Sequence, residues 1–293
     1  MLRKVVFIME ENILQKIILH GENNLPDELR AHGTEISIAA SRDILGNMSM
    51  QTKADTFIHD ETEKETLYIT DSESAYHTLR RQGRYVLPYR HENTGDSDFT
   101  GALYVIEQIE EIGYDTIDMA YRRLAGLPWE ILITERCIIR ETTESDVDSF
   151  YEIYAEPEIT KYMENLYDDR EEEIAYIKDY REKIYGFYGY GMWTVLTKDS
   201  TVIGRAGISW REGFHFPELG FVIGVPWQRQ GYAYEVCSAI LTYARKELGM
   251  TEIQALVMEG NDKSKALCGK LGFQYLERIT IEGKRYAKMI SQN

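Results

Sequence analysis

The stretch Glu218-Leu219-Gly220-Phe221-Val222-Ile223-Gly224-Val225, followed by Gln228-Arg229-Gln230-Gly231-Tyr232-Ala233 and a run to Leu248, decides the fold of this 293-residue chain. Leu219, Phe221, Ile223 and Val225 alternate with smaller or differently facing residues, which is the period of a strand. Val236, Ala239, Ile240, Tyr243, Ala244 and Leu248 recur at three- and four-residue spacing, the period of a helix with one buried face, and Gly249 is its stop. The order is strand, glycine turn, helix. Where a helix begins, its first amides have no intrahelical acceptor and share the positive end of the dipole. Such a junction suits a phosphate.

Two common phosphate-cradling patterns, G-x-G-x-x-G and the Gly-Lys-Ser/Thr ending of the P-loop, are absent. What stands here is Q-x-x-G-x-A, in which Gly231 and Ala233 let a ligand approach the main chain. This resembles the pyrophosphate-binding loop R/Q-x-x-G-x-G/A of the GNAT acetyltransferase superfamily. From Asn261 to Phe273 the run N-x-x-S-x-x-L-x-x-K-L-G-F is similar to the last helix of those enzymes, most closely the branch of the ribosomal-protein N-terminal acetyltransferases. Glu135 to Glu141, with Arg140, resembles that branch's opening strand, and Pro217 to Phe221 its central strand.

The resemblance implies an α+β domain with a mixed, largely antiparallel sheet over residues 134–293, with acetyl-CoA as the cofactor. Backbone amides near Ile223, Gly224 and Val225 would pair with the pantetheine arm as an added strand does, and those of Gln228, Arg229, Gln230, Gly231, Tyr232 and Ala233 would hold the pyrophosphate. Asn261 and Ser264 would face the cofactor, or else cap their own helix. Glu218 resembles the strand glutamate that receives the proton of the attacking amine; its plainer reading is an exposed strand residue, and His215 is a neighbouring substitute. Many GNAT enzymes place a tyrosine where Cys268 stands, which leaves water or Ser264 to protonate the leaving sulfur. Tyr188 and Tyr190 are expected either in the core or as walls of the acceptor pocket.

Composition bounds these readings. With 43% hydrophobic, 12% aromatic and 28% charged residues, the chain has an ordinary globular make-up, and its length predicts two domains. A net charge of −16 argues against nucleic acid as the partner, since phosphate backbones need a basic surface, and it favours a cationic substrate. Cys137, Cys237 and Cys268 have no metal-ligand spacing, so buried reduced thiols are expected and no metal site. Glu10 and Glu11 interrupt the apolar residues Val5 to Met9, unlike a signal peptide, and no segment approaches a membrane span. A cytoplasmic protein without a membrane partner is expected.

In the N-terminal half, Lys4 to Leu14 reads as a buried strand and a polar turn. Short strands alternating with helices predict a doubly wound parallel sheet over about residues 1–112. Lys4–Leu14 resembles the first motif of the haloacid dehalogenase-like phosphatases, with Ile8 where the nucleophilic aspartate belongs and Glu10 at the second carboxylate. Leu29 to Ser41 resembles the second motif, and Leu67 to Ser72 the strand bearing the metal-binding acidic motif. Tyr85 to Leu87 and Leu103 to Ile106 would be the last two strands. Asp71 keeps one possible ligand, but Ala75 replaces a further acid, and the family's lysine has no clear match, Lys53 and Lys64 being candidates. An isoleucine is neither a nucleophile nor a metal ligand, so a catalytically inactive relative is expected. Residues 113–133 read as a connecting helix and linker, and Ser145 reads as the cap of an amphipathic helix with Val147, Phe150, Tyr151 and Tyr154.

The function expected is acetyl-CoA-dependent transfer to a primary amine, on a protein N-terminus or a small molecule, by direct attack in a ternary complex. The alternative is a noncatalytic acyl-CoA sensor.

Overall fold

Between Lys4 and Pro88 the apolar runs form four strands, β1 (Lys4–Met9), β2 (Glu35–Ala40), β3 (Thr66–Thr70) and β4 (Tyr85–Pro88), seen in a computed structural model that describes residues 1–14, 24–40 and 64–291. They build a parallel sheet in the order β2-β1-β3-β4 within a first unit, Met1–Leu127. Parallel neighbours need crossovers. The helices α1 (Leu25–Ala31), α2 (Glu73–Arg81) and α3 (Tyr114–Leu124) cover both faces. On one face Val5, Phe7, Leu67 and Ile69 pack with Leu25, Leu29, Ile117 and Tyr121. On the other, Ile8 and Val86 pack with Ala75 and Tyr76.

The expected strand Leu103–Ile106 does not form. Only Ile106 meets β4's end, through a single parallel bridge to Tyr89; Leu103 is exposed, while Tyr104 and Val105 pack against the two core clusters of the unit without extending the ladder. Ser41 and Lys53 lie outside the described residues, and Lys64 is exposed, its backbone carbonyl accepting from the Tyr121 hydroxyl at 2.9 Å.

The second unit, Pro128–Asn293, is built on an eight-stranded sheet in the order β11-β12-β10-β9-β8-β7-β6-β5. Its strands are β5 (Glu130–Ile133), β6 (Cys137–Arg140), β7 (Met192–Thr197), β8 (Val202–Ser209), β9 (Glu218–Ile223), β10 (Ile253–Met258), β11 (Gln274–Ile281) and β12 (Lys284–Ser291). Every neighbouring pair is antiparallel except β9 and β10. Its longer helices are α4 (Val147–Tyr154), α5 (Arg170–Tyr180), α6 (Tyr232–Lys246) and α7 (Asp262–Lys270). Val236, Ile240 and Ala244 of α6 pack with Ala206, Ile208 and Leu219 of one sheet face. Val222, on the other face, packs with Tyr154 and Ile159.

Two expectations shift. Ser145 is not the cap of α4: Thr143 forms a capping box with Asp146 over the turn Glu144–Asp146, while the Ser145 hydroxyl meets that of Thr143 at 2.8 Å. The helix read as a connector, α3, packs into the first unit's core, and residues 130–133 pair with β6 as the second unit's first strand. No helix among the described residues is long and apolar enough to cross a membrane, and none of their His, Cys, Asp and Glu side chains group in threes about a metal position.

Candidate active site

The strand β9 and the turn after it position most of the residues singled out above. Gly224 N–H donates to the Ile203 carbonyl of β8 at 2.8 Å. Amides alternate in direction along a strand. Those of Val222 and Gly220 therefore face β8, whereas those of Phe221 and Ile223 face β10. Yet β10 pairs with β9 at one position alone, Gln254 opposite Glu218, where Gln254 N–H donates to the Pro217 carbonyl at 2.8 Å. Beyond that pair the two strands diverge, leaving the Phe221 and Ile223 amides with no strand partner. The gap runs through the middle of the sheet.

At the open end of this gap the chain turns into α6. Arg229 has φ +61 and Gly231 φ +89, two left-handed residues flanking Gln230. Alternation of this kind gathers successive N–H groups into a concave nest. Among the described residues, no acceptor reaches the amides of Arg229, Gln230, Gly231, Tyr232, Ala233 or Tyr234, and the first bond of the helix is Glu235 N–H to the Gly231 carbonyl at 3.0 Å. A Cβ on Gly231 would come within 3.3 Å of Arg136 Nη2. Six unanswered donors beside a guanidinium fit a doubly charged phosphate group. Two residues drop out of the expected set of amide donors: Gly224 through its bond to Ile203, and Gln228 because its N–H donates to the Val225 carbonyl at 3.2 Å. The Gln228 side chain braces the turn instead, donating to the Ile223 carbonyl at 2.9 Å.

Arg136 was not foreseen. Its Nε pairs with Glu235 at 2.7 Å, its Nη1 donates to the Gln230 carbonyl at 3.0 Å, and its guanidinium lies 4.3 Å from the centre of the Tyr232 ring. It lies within the stretch Glu135 to Glu141 already notable in the sequence, but its target is far away along the chain.

Glu218 faces the opposite side of the sheet from α6, because Leu219 next to it packs into the α6 core and neighbouring strand residues alternate. Its Oε2 accepts from Arg211 Nε at 3.0 Å, and its side chain is 13% exposed. Burial raises its pKa above the usual carboxylate range and nearby Glu164 adds to this, while Arg211 opposes both. Trp210, next to Arg211 in the chain, donates through Nε1 to the Tyr190 hydroxyl, and the Tyr188 ring lies 6.1 Å from that of Tyr190, so three aromatic side chains meet there. Tyr190 packs partly on the core, whereas Tyr188 and His215 are exposed.

Asn261 caps α7, its Oδ1 accepting from Ser264 N–H at 3.1 Å. No partner among the described residues meets the Ser264 hydroxyl, which lies one turn before Cys268 on the side of α7 packed toward α6. Cys268 is fully buried, which pushes its thiol up to about 11, and Cys137 and Cys237 are buried thiols as well. Ser264 and Glu218 thus stand on opposite faces, with the gap between β9 and β10 joining them.

Residues 136–274 match the family described as the acetyltransferase (GNAT) domain. The N-acetyltransferase YoaA of Bacillus subtilis is 30% identical over 148 residues, spanning 49% of this chain and 82% of that protein. The chain belongs to the GNAT acetyltransferase family. The [ribosomal protein uS5]-alanine N-acetyltransferase of Escherichia coli is 27% identical to this GNAT protein over 160 residues, covering 51% of the chain and 81% of the relative. The crystal structure of RimL, a ribosomal L7/L12 alpha-N-protein acetyltransferase, superposes with a TM-score of 0.50 at 12% identity, over 57% of this chain and 96% of RimL, and speaks for the fold alone. The second unit of this GNAT protein is an N-acetyltransferase domain, of a family that uses acetyl-CoA.

Proposed function

We propose that the second unit acetylates a primary amine, on a protein N-terminus or a small molecule, within a ternary complex. The observation that carries this reading is the continuous donor surface from the Phe221 and Ile223 amides, facing a gap in the sheet, to the nest of Arg229–Ala233. When bound, acetyl-CoA supplies the activated acetyl thioester. The nest and Arg136 would hold its pyrophosphate, and the amides of Phe221, Ile223 and Val225 its pantetheine arm. Glu218 takes up the proton that an ammonium must lose before its nitrogen can attack. Phe221 lies three residues along β9 from Glu218, or about 10 Å at roughly 3.3 Å per residue, so that proton travels through water. Ser264, its hydroxyl without a partner among the described residues, returns a proton to the departing sulfur, and Tyr188 and Tyr190 border the acceptor.

The test is thiol release from acetyl-CoA over peptides beginning with Ala, Ser or Thr, spermidine and an aminoglycoside. Amine-dependent release supports the enzyme. Tight coenzyme A binding without it would make the protein an acyl-CoA sensor. The Gly231→Glu variant should lose coenzyme A affinity in a calorimetric titration while keeping its circular dichroism, since its carboxylate would sit in the nest; unchanged affinity would refute the cofactor placement.

For the first unit we infer a relative of the haloacid dehalogenase-like phosphatases without their chemistry. Supporting this are the parallel order β2-β1-β3-β4 and the fully buried Ile8 at the nucleophile's position. Asp71 ties the loops together: its Oδ2 accepts from Glu10 N–H at 3.0 Å and faces His91 Nε2 at 3.2 Å. A cytoplasmic setting fits the three free cysteines.

A further inference from the structure

The side chain that already sits on Glu218 is itself a cation. Arg211 extends from the turn that follows β8, a turn containing Gly213 at φ +81, and is 41% exposed, three times as much as the carboxylate it reaches. It engages Glu218 through Nε alone at 3.0 Å, and among the described residues its two Nη groups bond to nothing. A forked guanidinium that meets a carboxylate through one nitrogen forgoes the bidentate geometry that makes such pairs strong. The pair is built to come apart. A second carboxylate, Glu164, acts on Glu218, and Trp210, the chain neighbour of Arg211, is bonded to the Tyr190 hydroxyl. Carboxylates with aromatic rings are what a cationic amine needs.

We propose that Arg211 is an internal stand-in for the acceptor, whose guanidinium covers the carboxylate of Glu218 until an incoming ammonium displaces it, so that the residue selects for cationic amines. This rests on Glu218 as the base. Arg211 and Glu164 are the charged groups that act on Glu218 from the elements around it, with Gln254 of β10 and Ser209 of β8 as its uncharged register partners. Departure of Arg211 removes the one opposing charge and leaves burial and Glu164 unchecked, so uncovering the carboxylate also makes it the stronger base.

The test uses the full chain with carbon-13 in the glutamate carboxyls, the Glu218 signal being assigned from its loss in Glu218→Gln. Propylammonium chloride is the probe. In Arg211→Gln the probe should perturb the Glu218 signal at about tenfold lower concentration than in the unaltered protein, and the carboxyl should titrate about one pH unit higher, a tenfold change in proton affinity. Arg211→Lys should behave as the unaltered protein. Equal response to the probe in the unaltered protein and Arg211→Gln would overturn the proposal, as would a fall in kcat/KM of Arg211→Gln toward the peptide Ala-Ala-Ala, which would make Arg211 an acceptor ligand. Should Glu218→Gln keep full turnover while the probe result holds, the base assignment fails and the displaceable cation stands. If Glu218→Gln is inactive but the probe response does not differ, the base stands and the stand-in does not.

Discussion

Glu218, as the proposed base, carries two consequences that separate function from stability. A base must be ionised to act, and burial, reinforced by Glu164, lifts the pKa of this carboxyl. The acid limb of kcat/KM should therefore lie above the ordinary glutamate value of about 4.3, with activity falling as pH drops through it. The sign for folding is opposite. A carboxyl whose folded pKa exceeds its unfolded one binds its proton more tightly when native, so its contribution weakens stability as pH rises between the two values and is unfavourable above both. Glu218→Gln should accordingly keep or raise the melting temperature at neutral pH while cutting kcat by about 10²-fold or more; a lower melting temperature in differential scanning calorimetry would refute this balance. Glu218 and the nest were legible in the sequence because strand, turn and helix start are contiguous there. Arg136 was not, since it reaches Gln230 across 94 residues, and no local pattern encodes such a meeting. Arg211 was nearer to being readable: Ser209 pairs with Glu218 across a hairpin, which brings a residue just past Ser209 back toward that carboxylate.

Among the elements, the joint between β6 and the start of α4 is heavily cross-linked. Arg140 grips Asp146 through both terminal nitrogens, at 2.8 and 2.6 Å, and Thr143 N–H and the Thr194 hydroxyl each donate to the same carboxylate at 2.9 Å. Burial works to raise the Asp146 pKa, but the guanidinium and these donors outweigh it and hold the carboxyl below its usual range. Its stabilising contribution is then complete above the unfolded value and is lost as pH falls through the depressed folded one. Asp146→Ala, which leaves Arg140 buried without its counter-charge, should cost about 3–5 kcal/mol in urea unfolding near neutral pH, and the difference from the unaltered protein should shrink in strong acid. The strands and helices of both units were readable where apolar residues repeat at one period and glycines such as Gly33 and Gly83, at φ +76 and +74, mark the stops. Failure came where polar chemistry decides. Ser145 and Thr143 are equally good caps by type, and the choice falls to Thr143 because Asp146 completes the reciprocal bond. Leu103–Ile106 has the composition of a strand and sets side chains on both core clusters, yet its backbone is paired at Ile106 alone.

On the scale of the whole molecule, the two units have separate cores, and a formal charge of −16 is spread over a chain that we read as acting on amines. Such a field steers cations inward and is screened by salt. For a cationic peptide acceptor, kcat/KM should decline as the Debye length shrinks from about 30 Å at 0.01 M to about 8 Å at 0.15 M, while kcat stays nearly constant; a flat stopped-flow salt profile would count against steering. That two folding units exist followed from length and from the change of pattern near Pro128, whereas the pairing of β9 with β10 at a single residue has no signature in either strand's composition. That single pairing gives the second sheet a margin in its own interior. Strands rich in unanswered amides are normally found at a rim, where foreign chains attach to them. Here Phe221 and Ile223 lie between buried neighbours yet their backbone protons have no strand partner, so in heavy water the ligand-free protein should exchange along this seam as fast as at its frayed ends. A molecule laid into it as a ninth, non-peptide strand would slow that exchange and knit the two halves of the sheet together.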